Sequence, residues 1–169
     1  MPTVTFHTLY VFIVLSLERR VLLHVNATRH PTAAWTAQQM VEALGPDSAT
    51  VRRVIRDRDG IYGAAFDRRI RNLGLQQLRI APRSPWQNGY AERFVGTLRR
   101  ELLDHLVVVS ERKLLRAIRA YVAYSNEDRP HLALAGDAPI SRPVEPHAAG
   151  KIVALPRVGG LHHRYARAA

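Results

Sequence analysis

The segment 9–17 is apolar at every position except Ser16, and this run limits what the chain can fold into more than any other feature. It is far shorter than the roughly 20 residues that a membrane-spanning helix needs. No basic segment precedes it and no small-residue cleavage site follows it, as a signal peptide requires. A short unbroken apolar run is typical of a strand whose two faces are both buried. We therefore expect a soluble, cytoplasmic protein in which helices cover a sheet.

Apolar patterns along the rest of the chain predict further strands and helices. Strands are expected at 4–6, 9–17, 21–25, 51–55 and 77–80. Helices are expected at 33–44, 65–73, about 90–106 and 111–124, with N-caps at Thr32 and Ser110 for the first and last, and a stop at Gly45. This order predicts an α/β fold in which a mixed five-stranded sheet is flanked by helices. Residues from 126 onward show no clear periodicity.

The charge of the chain indicates a polyanionic partner. Lys and Arg total 25 against 14 acidic residues, a net charge of +11. All the basic residues except Lys113 and Lys151 are Arg, whose guanidinium group pairs with phosphate oxygens through two parallel hydrogen bonds. The codon bias of a GC-rich genome explains the preference for Arg over Lys equally well, but not the net positive charge, which favours nucleic acid. The absence of cysteine excludes disulfides and thiolate metal sites.

Two carboxylates occupy positions where α/β proteins place their sites. Asp57 follows the fourth predicted strand, and Glu92 lies in the first turn of the long predicted helix. Such side chains project into the crevice at the edge of the sheet, where carboxylates can hold Mg²⁺ or Mn²⁺ for in-line attack on a phosphodiester. Spacing alone leaves the alternative that Asp57 sits in an exposed turn and that Glu92 only favours the helix dipole.

Three stretches resemble a known family. They are R-D-R-D-G-I-Y-G at 56–63, A-P-R-S-P-W-Q-N-G-Y-A-E-R-F-V-G-T-L-R-R-E-L at 81–102, and S-N-E-D-R-P-H-L-A-L at 125–134. In this order they resemble the integrase-core (DDE) transposases of bacterial insertion sequences, whose ribonuclease-H-like fold has the predicted order of elements. The resemblance implies DNA integration or transposition by metal-dependent phosphoryl transfer at DNA ends. The implied partners are transposon-end DNA, target DNA and other transposase copies, without a membrane.

The same resemblance assigns roles to the two carboxylates. It implies that Asp57 is the second and Glu92 the third catalytic and metal-binding carboxylate, with Mg²⁺ or Mn²⁺ as the cofactor. Asp59 competes with Asp57 for this role. Asp57 is preferred because it lies five residues before Tyr62, as the family pattern requires.

The DNA-binding residues are expected on three parts of the chain. They are Arg99, seven residues after Glu92, then Arg83, Trp86, Gln87 and Asn88 in the preceding loop, and the stripe Arg112, Arg116 and Arg119. Alternatives stay open: Arg99 and the stripe could be solvated surface, and Trp86 could hold its loop against the core. We interpret 129–131 as a structural turn after the helix and 162–165 as part of an unstructured basic end.

The chain departs from the family pattern at the first catalytic aspartate, which the family carries on its first strand. Here no Asp or Glu precedes Glu18, which falls in the turn after the second strand. We therefore interpret residues 1–134 as an N-terminally truncated integrase core and 135–169 as a basic tail rich in Pro, Gly, His and Arg. Metal binding is then expected to be weak or absent, and the chain inactive as given. The alternative hypothesis is a non-catalytic DNA-binding or regulatory remnant of a transposase.

Overall fold

The computed structural model describes residues 1, 8–45 and 51–168. In chain order the strands and helices are β1 Tyr10–Leu15, β2 Leu22–Thr28, α1 Ala33–Leu44, β3 Arg53–Arg56, α2 Ala64–Asn72, β4 Gln76–Arg79, α3 Gly89–Glu101, α4 Glu111–Glu127, β5 Lys151–Arg157 and β6 His162–Ala168. This mixed α/β architecture confirms the predicted class. The strand predicted at 4–6 lies outside the described residues. No helix in the described ranges is long and apolar enough to cross a membrane.

The strands pair two by two within the part of the chain that the structure describes. β1 and β2 are antiparallel, β3 and β4 are parallel, and β5 and β6 are antiparallel. The four core strands therefore form two separate ladders rather than one continuous sheet. β1 and β3 each have one edge without a partner strand among the described residues, and both strands line the same cavity.

The apolar run predicted a strand buried on both faces, and β1 has this arrangement. Val11 and Ile13 pack against a core formed with α3 and α4, in which Leu98, Leu102, Leu114, Ile118 and Tyr121 are buried. Phe12 and Val14 pack against a second core formed with α1 and α2, in which Met40, Phe66 and Ile70 are buried. Because successive side chains of a strand point to opposite faces, an unbroken apolar run serves two cores at once.

Local capping signals set the ends of two helices. Thr32 Oγ1 accepts the Trp35 N–H at 3.2 Å, and α1 ends at Gly45, which has a positive φ of 53°. Ser110 Oγ accepts the Lys113 N–H at the start of α4. Both N-caps and the stop at Gly45 are confirmed.

The helix predicted over 90–106 is shorter in the structure. α3 ends at Glu101, Leu102 leaves the helical conformation (φ −135°), and a 3-10 turn follows at Leu103–His105. The last-turn carbonyls of Arg100 and Glu101 accept hydrogen bonds from the rings of His105 and His162, at 3.0 and 2.9 Å. Two histidine side chains thus bond carbonyl groups that, in a longer helix, would accept hydrogen bonds from backbone N–H groups of the next turn.

The prediction of an unstructured basic end is wrong. β5 and β6 form a hairpin around Val158–Gly160, and the buried carboxylate of Asp128 anchors it to the end of α4. Arg157 Nε lies 2.6 Å and Arg164 Nε 3.6 Å from this carboxylate. The His162 ring stacks on Tyr124 with a centroid separation of 4.6 Å. These contacts join residues far apart in the chain, so the local pattern did not reveal them.

Candidate active site

Asp57 and Glu92 line one cleft. Its volume is about 840 Å³, and its walls come from β1, β3, α1 and the start of α3. Asp57 follows the last residue of β3 directly, and Glu92 lies in the first turn of α3. Both side chains are exposed to solvent. The fold thus brings the two predicted carboxylates to the same cavity from different elements.

The loop after β3 holds Asp57 and Asp59 in consecutive turns. Asp57 Oδ1 accepts the Asp59 N–H, and Asp59 Oδ1 accepts the Ile61 N–H, each at 3.1 Å. Each carboxylate therefore keeps its second oxygen free of these turn bonds, and both line the cleft. Burial raises the pKa of the neighbouring Tyr62 to about 12, and the negative charges of Asp57 and Asp59 add to that rise. The preference for Asp57 stays a prediction based on its position in the motif.

Arg56 fixes the strand end that carries Asp57, a role that the sequence reasoning missed. Its side chain is only 5% exposed and lies 3.0 Å from Asp67 of α2 and 2.8 Å from Gln77 of β4. One guanidinium nitrogen donates to the Asp57 backbone carbonyl at 3.0 Å. The guanidinium carbon also lies 4.9 Å from the centre of the Tyr62 ring. The available signal in the sequence was the position of Arg56, directly after Val54 and Ile55 and before Asp57.

We expect Arg56→Ala to lower the free energy of unfolding by about 3 kcal/mol, because it leaves the Asp67 carboxylate without its buried partner. Arg79→Ala is the matched control, since Arg79 pairs with the same carboxylate at 2.8 Å but its side chain is 47% exposed. Its removal should cost less than about 1 kcal/mol. Urea denaturation measures both variants, and equal effects would show that burial does not distinguish the two pairs.

The donor chemistry of the cleft fits a loosely held divalent cation. Carboxylate oxygens are the ligands that Mg²⁺ prefers, and Mg²⁺ often binds through one or two carboxylates, several waters and substrate phosphates. Asp57 and Glu92 supply two such groups. Among residues 1, 8–45 and 51–168, no group of three or more His, Asp or Glu side chains is placed to hold a metal. Asp57 and Glu92 are therefore oxygen donors of the kind that Mg²⁺ prefers.

The loop before α3 exposes an aromatic side chain to solvent. Trp86 is 73% exposed, so the alternative that it holds the loop against the core is wrong. Gln87 instead bonds within the loop, because its Oε1 accepts the Ala81 N–H at 2.7 Å. Asn88 lines the cleft, and Arg83 is exposed with a positive φ of 58°.

The remaining residues expected to bind DNA lie further along the helices. Arg99 is exposed, and its Nε lies 3.4 Å from Asp104 near the end of α3. Arg112, Arg116 and Arg119 are exposed on α4 and line a shallow depression of about 300 Å³ with Leu115. None of these three arginines forms an ion pair within the described part of the chain. The depression shares no lining residue with the cleft, so the two form separate regions.

The stretch 125–134 supports the fold rather than lining the cleft. Asn126 bonds both backbone groups of Leu22, accepting its N–H at 2.9 Å and donating to its carbonyl at 3.0 Å. Arg129 donates two hydrogen bonds to Glu101, at 2.9 and 2.7 Å, and the Tyr121 hydroxyl donates a third at 2.7 Å. The structural interpretation of 129–131 is thereby confirmed.

Comparisons with known proteins agree with this architecture. Residues 73–139 match the family described as "Integrase core domain". The catalytic core domain of BIV integrase has 17% sequence identity and a TM-score of 0.58 over 76% of this chain and 81% of that chain. A chain of the simian T-cell lymphotropic virus intasome in complex with PP2A regulatory subunit B56 gamma has 13% identity and a TM-score of 0.62, over 92% of this chain and 59% of that chain. No curated protein matches. The chain has the ribonuclease-H-like fold of integrase catalytic cores.

Proposed function

We propose that this chain is the catalytic core of a DNA transposase or integrase, an enzyme class that performs metal-dependent phosphoryl transfer at DNA ends. We also propose that the chain as given is inactive, because no Asp or Glu precedes Glu18 to supply the first catalytic carboxylate. The observation that carries the proposal is that Asp57 and Glu92 line one cleft of a chain with the fold of integrase catalytic cores. The family match over 73–139 includes Glu92. In this proposal residues 1–134 form the core and 135–169 an appended segment. The similar chain in an intasome supports an assembly of several copies on transposon-end and target DNA.

The proposed chemistry divides between the cation and the protein. Asp57 and Glu92 would hold Mg²⁺ or Mn²⁺, which supplies activation of a water or 3′-hydroxyl nucleophile and stabilises the leaving oxygen. The chain's own residues position these two carboxylates. Arg56 bonds the backbone at Asp57, and the helical first turn fixes Glu92. This positioning matters because small displacements of reacting groups cost large factors in rate.

Divalent-ion calorimetry tests the metal site. We expect Mg²⁺ to bind weakly, with a dissociation constant of about 10⁻³ M or weaker, because only two carboxylates contribute charge. Asp57→Asn and Glu92→Gln should each remove the binding heat. Asp59→Asn is the matched control and should retain it. Tight binding, or binding that Asp57→Asn leaves unchanged, would contradict the proposed site.

DNA binding by the basic surface is expected to be strongly salt-dependent and to show little sequence preference, because counterion release supplies most of the free energy. Changing Arg112, Arg116 and Arg119 together to Gln should reduce the slope of log K against log salt by about 0.9 for each phosphate that the variant no longer neutralises. The control changes the exposed arginines of α2, at positions 68, 69 and 71, and removes the same charge. Fluorescence anisotropy on duplex DNA measures both slopes. Equal reductions would mean that net charge, and not the α4 stripe, sets the binding.

The second candidate function is a non-catalytic DNA-binding or regulatory remnant of a transposase. The exposed stripe on α4 supports it, because that surface needs no metal. The two functions differ in their dependence on the cleft. DNA binding that Asp57→Asn and Glu92→Gln leave unchanged, without metal-dependent cleavage under any condition, would favour the remnant.

A further inference from the structure

The connection between α3 and α4 contains a short apolar segment, residues 106–110, with the sequence L-V-V-V-S. Its backbone is extended at both ends, with φ of −116° at the first residue and −153° at the last. Val108 is only 6% exposed, whereas Val107 and Val109 are 76% and 48% exposed. Since successive side chains of an extended chain point to opposite sides, the segment has one face on the core and one apolar face in solvent.

The backbone of this segment lacks the partners that a strand normally has. Within the described part of the chain, no N–H or C=O group of residues 107–109 forms a hydrogen bond. Val favours strands, and a run of unbonded strand groups is a template for pairing with another chain. The segment therefore offers strand backbone together with an apolar face made by Val107 and Val109.

The charges next to the segment are positive. The first two turns of α4 follow it directly and expose Arg112, Lys113 and Arg116. None of these three cations forms an ion pair within the ranges that the structure describes. Glu111 is the only acidic residue in the segment and these two turns, and it is half-buried. Unpaired cations that cluster on one surface attract a negatively charged partner.

The apolar strand and the cations together favour one kind of partner. DNA would pair with the cations, but it offers neither strand backbone nor apolar side chains to residues 107–109. A second copy of this chain would offer the strand but would bring the same cations to the interface, and each chain carries a net charge of +11. An extended acidic peptide supplies backbone hydrogen bonds, apolar side chains and negative charge at once.

We propose that residues 106–110 and the first two turns of α4 form a docking site for an extended acidic peptide segment of a partner protein. The peptide adds one strand along residues 107–109, packs apolar side chains beside Val107 and Val109, and places carboxylates next to Arg112 and Arg116. This inference goes beyond the proposed function. No residue of this surface lines the cleft of the two candidate catalytic carboxylates, and the test needs neither metal nor DNA.

The test titrates the blocked peptide acetyl-Glu-Asp-Thr-Val-Thr-Val-Thr-Asp-Glu-amide into the full, isotope-labelled chain. The amide signals of residues 107–109 should shift in NMR spectra, and these amides should exchange at least about tenfold more slowly at saturation. The same peptide with Lys in place of each acid should bind at least about tenfold more weakly. Unchanged signals at residues 107–109 would overturn the site, and equal affinity of the two peptides would overturn the acidic character of the partner.

Variants of the chain test the apolar face. Val107→Asp should weaken binding of the acidic peptide at least about tenfold, because it places a carboxylate where an apolar side chain packs. Val144→Asp is the matched control at another exposed valine, 94% exposed, and should retain the affinity. Equal effects of the two changes would overturn the assignment to this face. A dimer that forms without peptide and is lost in Val107→Asp, measured by sedimentation, would assign the surface to a second copy of the chain instead.

Backbone methylation tests the strand pairing. Alternate residues of a strand point their N–H groups to the same edge. One peptide therefore carries N-methyl groups on both of its Val residues, and another carries them on all three of its Thr residues. One of these two peptides should lose the protection of residues 107–109 and the other should retain it. Retention by both would show that the peptide covers the surface without adding a strand.

Discussion

We expect alanine at Glu92 or Asp57 to abolish metal-dependent strand transfer in a chain whose cleft is completed by an upstream strand carrying an aspartate. Catalysis of phosphoryl transfer depends on positioning and charge stabilisation, so the removal of one metal-binding carboxylate should lower the rate by on the order of 10³-fold or more. Asp59→Ala is the matched control and should retain activity, because its side chain lines the same cleft but lies outside the motif position. Gel assays on duplex DNA with its proper ends measure nicking and joining.

Three outcomes of that experiment are informative. The chain of the printed sequence should show no detectable strand transfer, and robust activity would mean that another acid completes the site. Activity that survives Glu92→Ala would exclude the proposed function. Loss of activity in Asp59→Ala with retention in Asp57→Ala would move the second carboxylate to Asp59.

The second large effect is expected on folding stability, from an ion pair that links the end of α3 to the residues just after α4. Arg129→Ala removes two hydrogen bonds from Glu101, whose side chain is 28% exposed, and leaves this carboxylate with only the Tyr121 hydroxyl. We expect the free energy of unfolding to fall by about 3 kcal/mol at pH 7, towards the lower end of the cost of breaking buried pairs. Arg129→Lys keeps the charge but not the paired donors, so it should recover only part of the stability. Urea denaturation measures both variants.

The pH dependence of this effect separates the ion pair from simple packing. Burial raises the pKa of Glu101, but the hydrogen bonds from Arg129 and Tyr121 outweigh it, and the pKa lies below its usual range. A carboxyl whose pKa is lowered on folding contributes stability above its unfolded pKa, and this contribution disappears as the pH falls through the native value. The difference between wild type and Arg129→Ala should therefore be constant from about pH 5 to pH 8 and shrink below about pH 4. The same difference at pH 3 and pH 7 would assign the effect to packing.

Residues that are close together in the sequence were sufficient to predict much of this architecture. Thr32 and Ser110 cap their helices because the hydroxyl of an extended residue before a helix reaches an N–H two or three positions on. The run 9–17 predicted a strand buried on both faces because side chains alternate along any strand. The motif around Asp57 and Glu92 placed both carboxylates at element ends, and element ends in α/β folds meet at a crevice. Each of these predictions depends on residues close together in the chain or on a period within one element.

The features that the sequence did not predict depend on hydrogen bonds and ion pairs between residues that are distant in the chain. The last carbonyl of α3, at Glu101, accepts a hydrogen bond from the His162 ring. The C-terminal hairpin is anchored because Arg157 and Arg164 reach the buried carboxylate of Asp128. The local sequence around these residues does not reveal which distant residue each one bonds. A basic residue in a short strand, for example, could equally well face solvent. The separation of β1 and β3 across the cleft is likewise a property of how the elements pack.

The sequence by itself determined which core segments become helices and strands and which carboxylates lie at their ends. Only the tertiary structure decided where those segments stop and which strands pair with one another. The physical reason is that bonds between residues distant in the chain form only when the two cores bring those residues together.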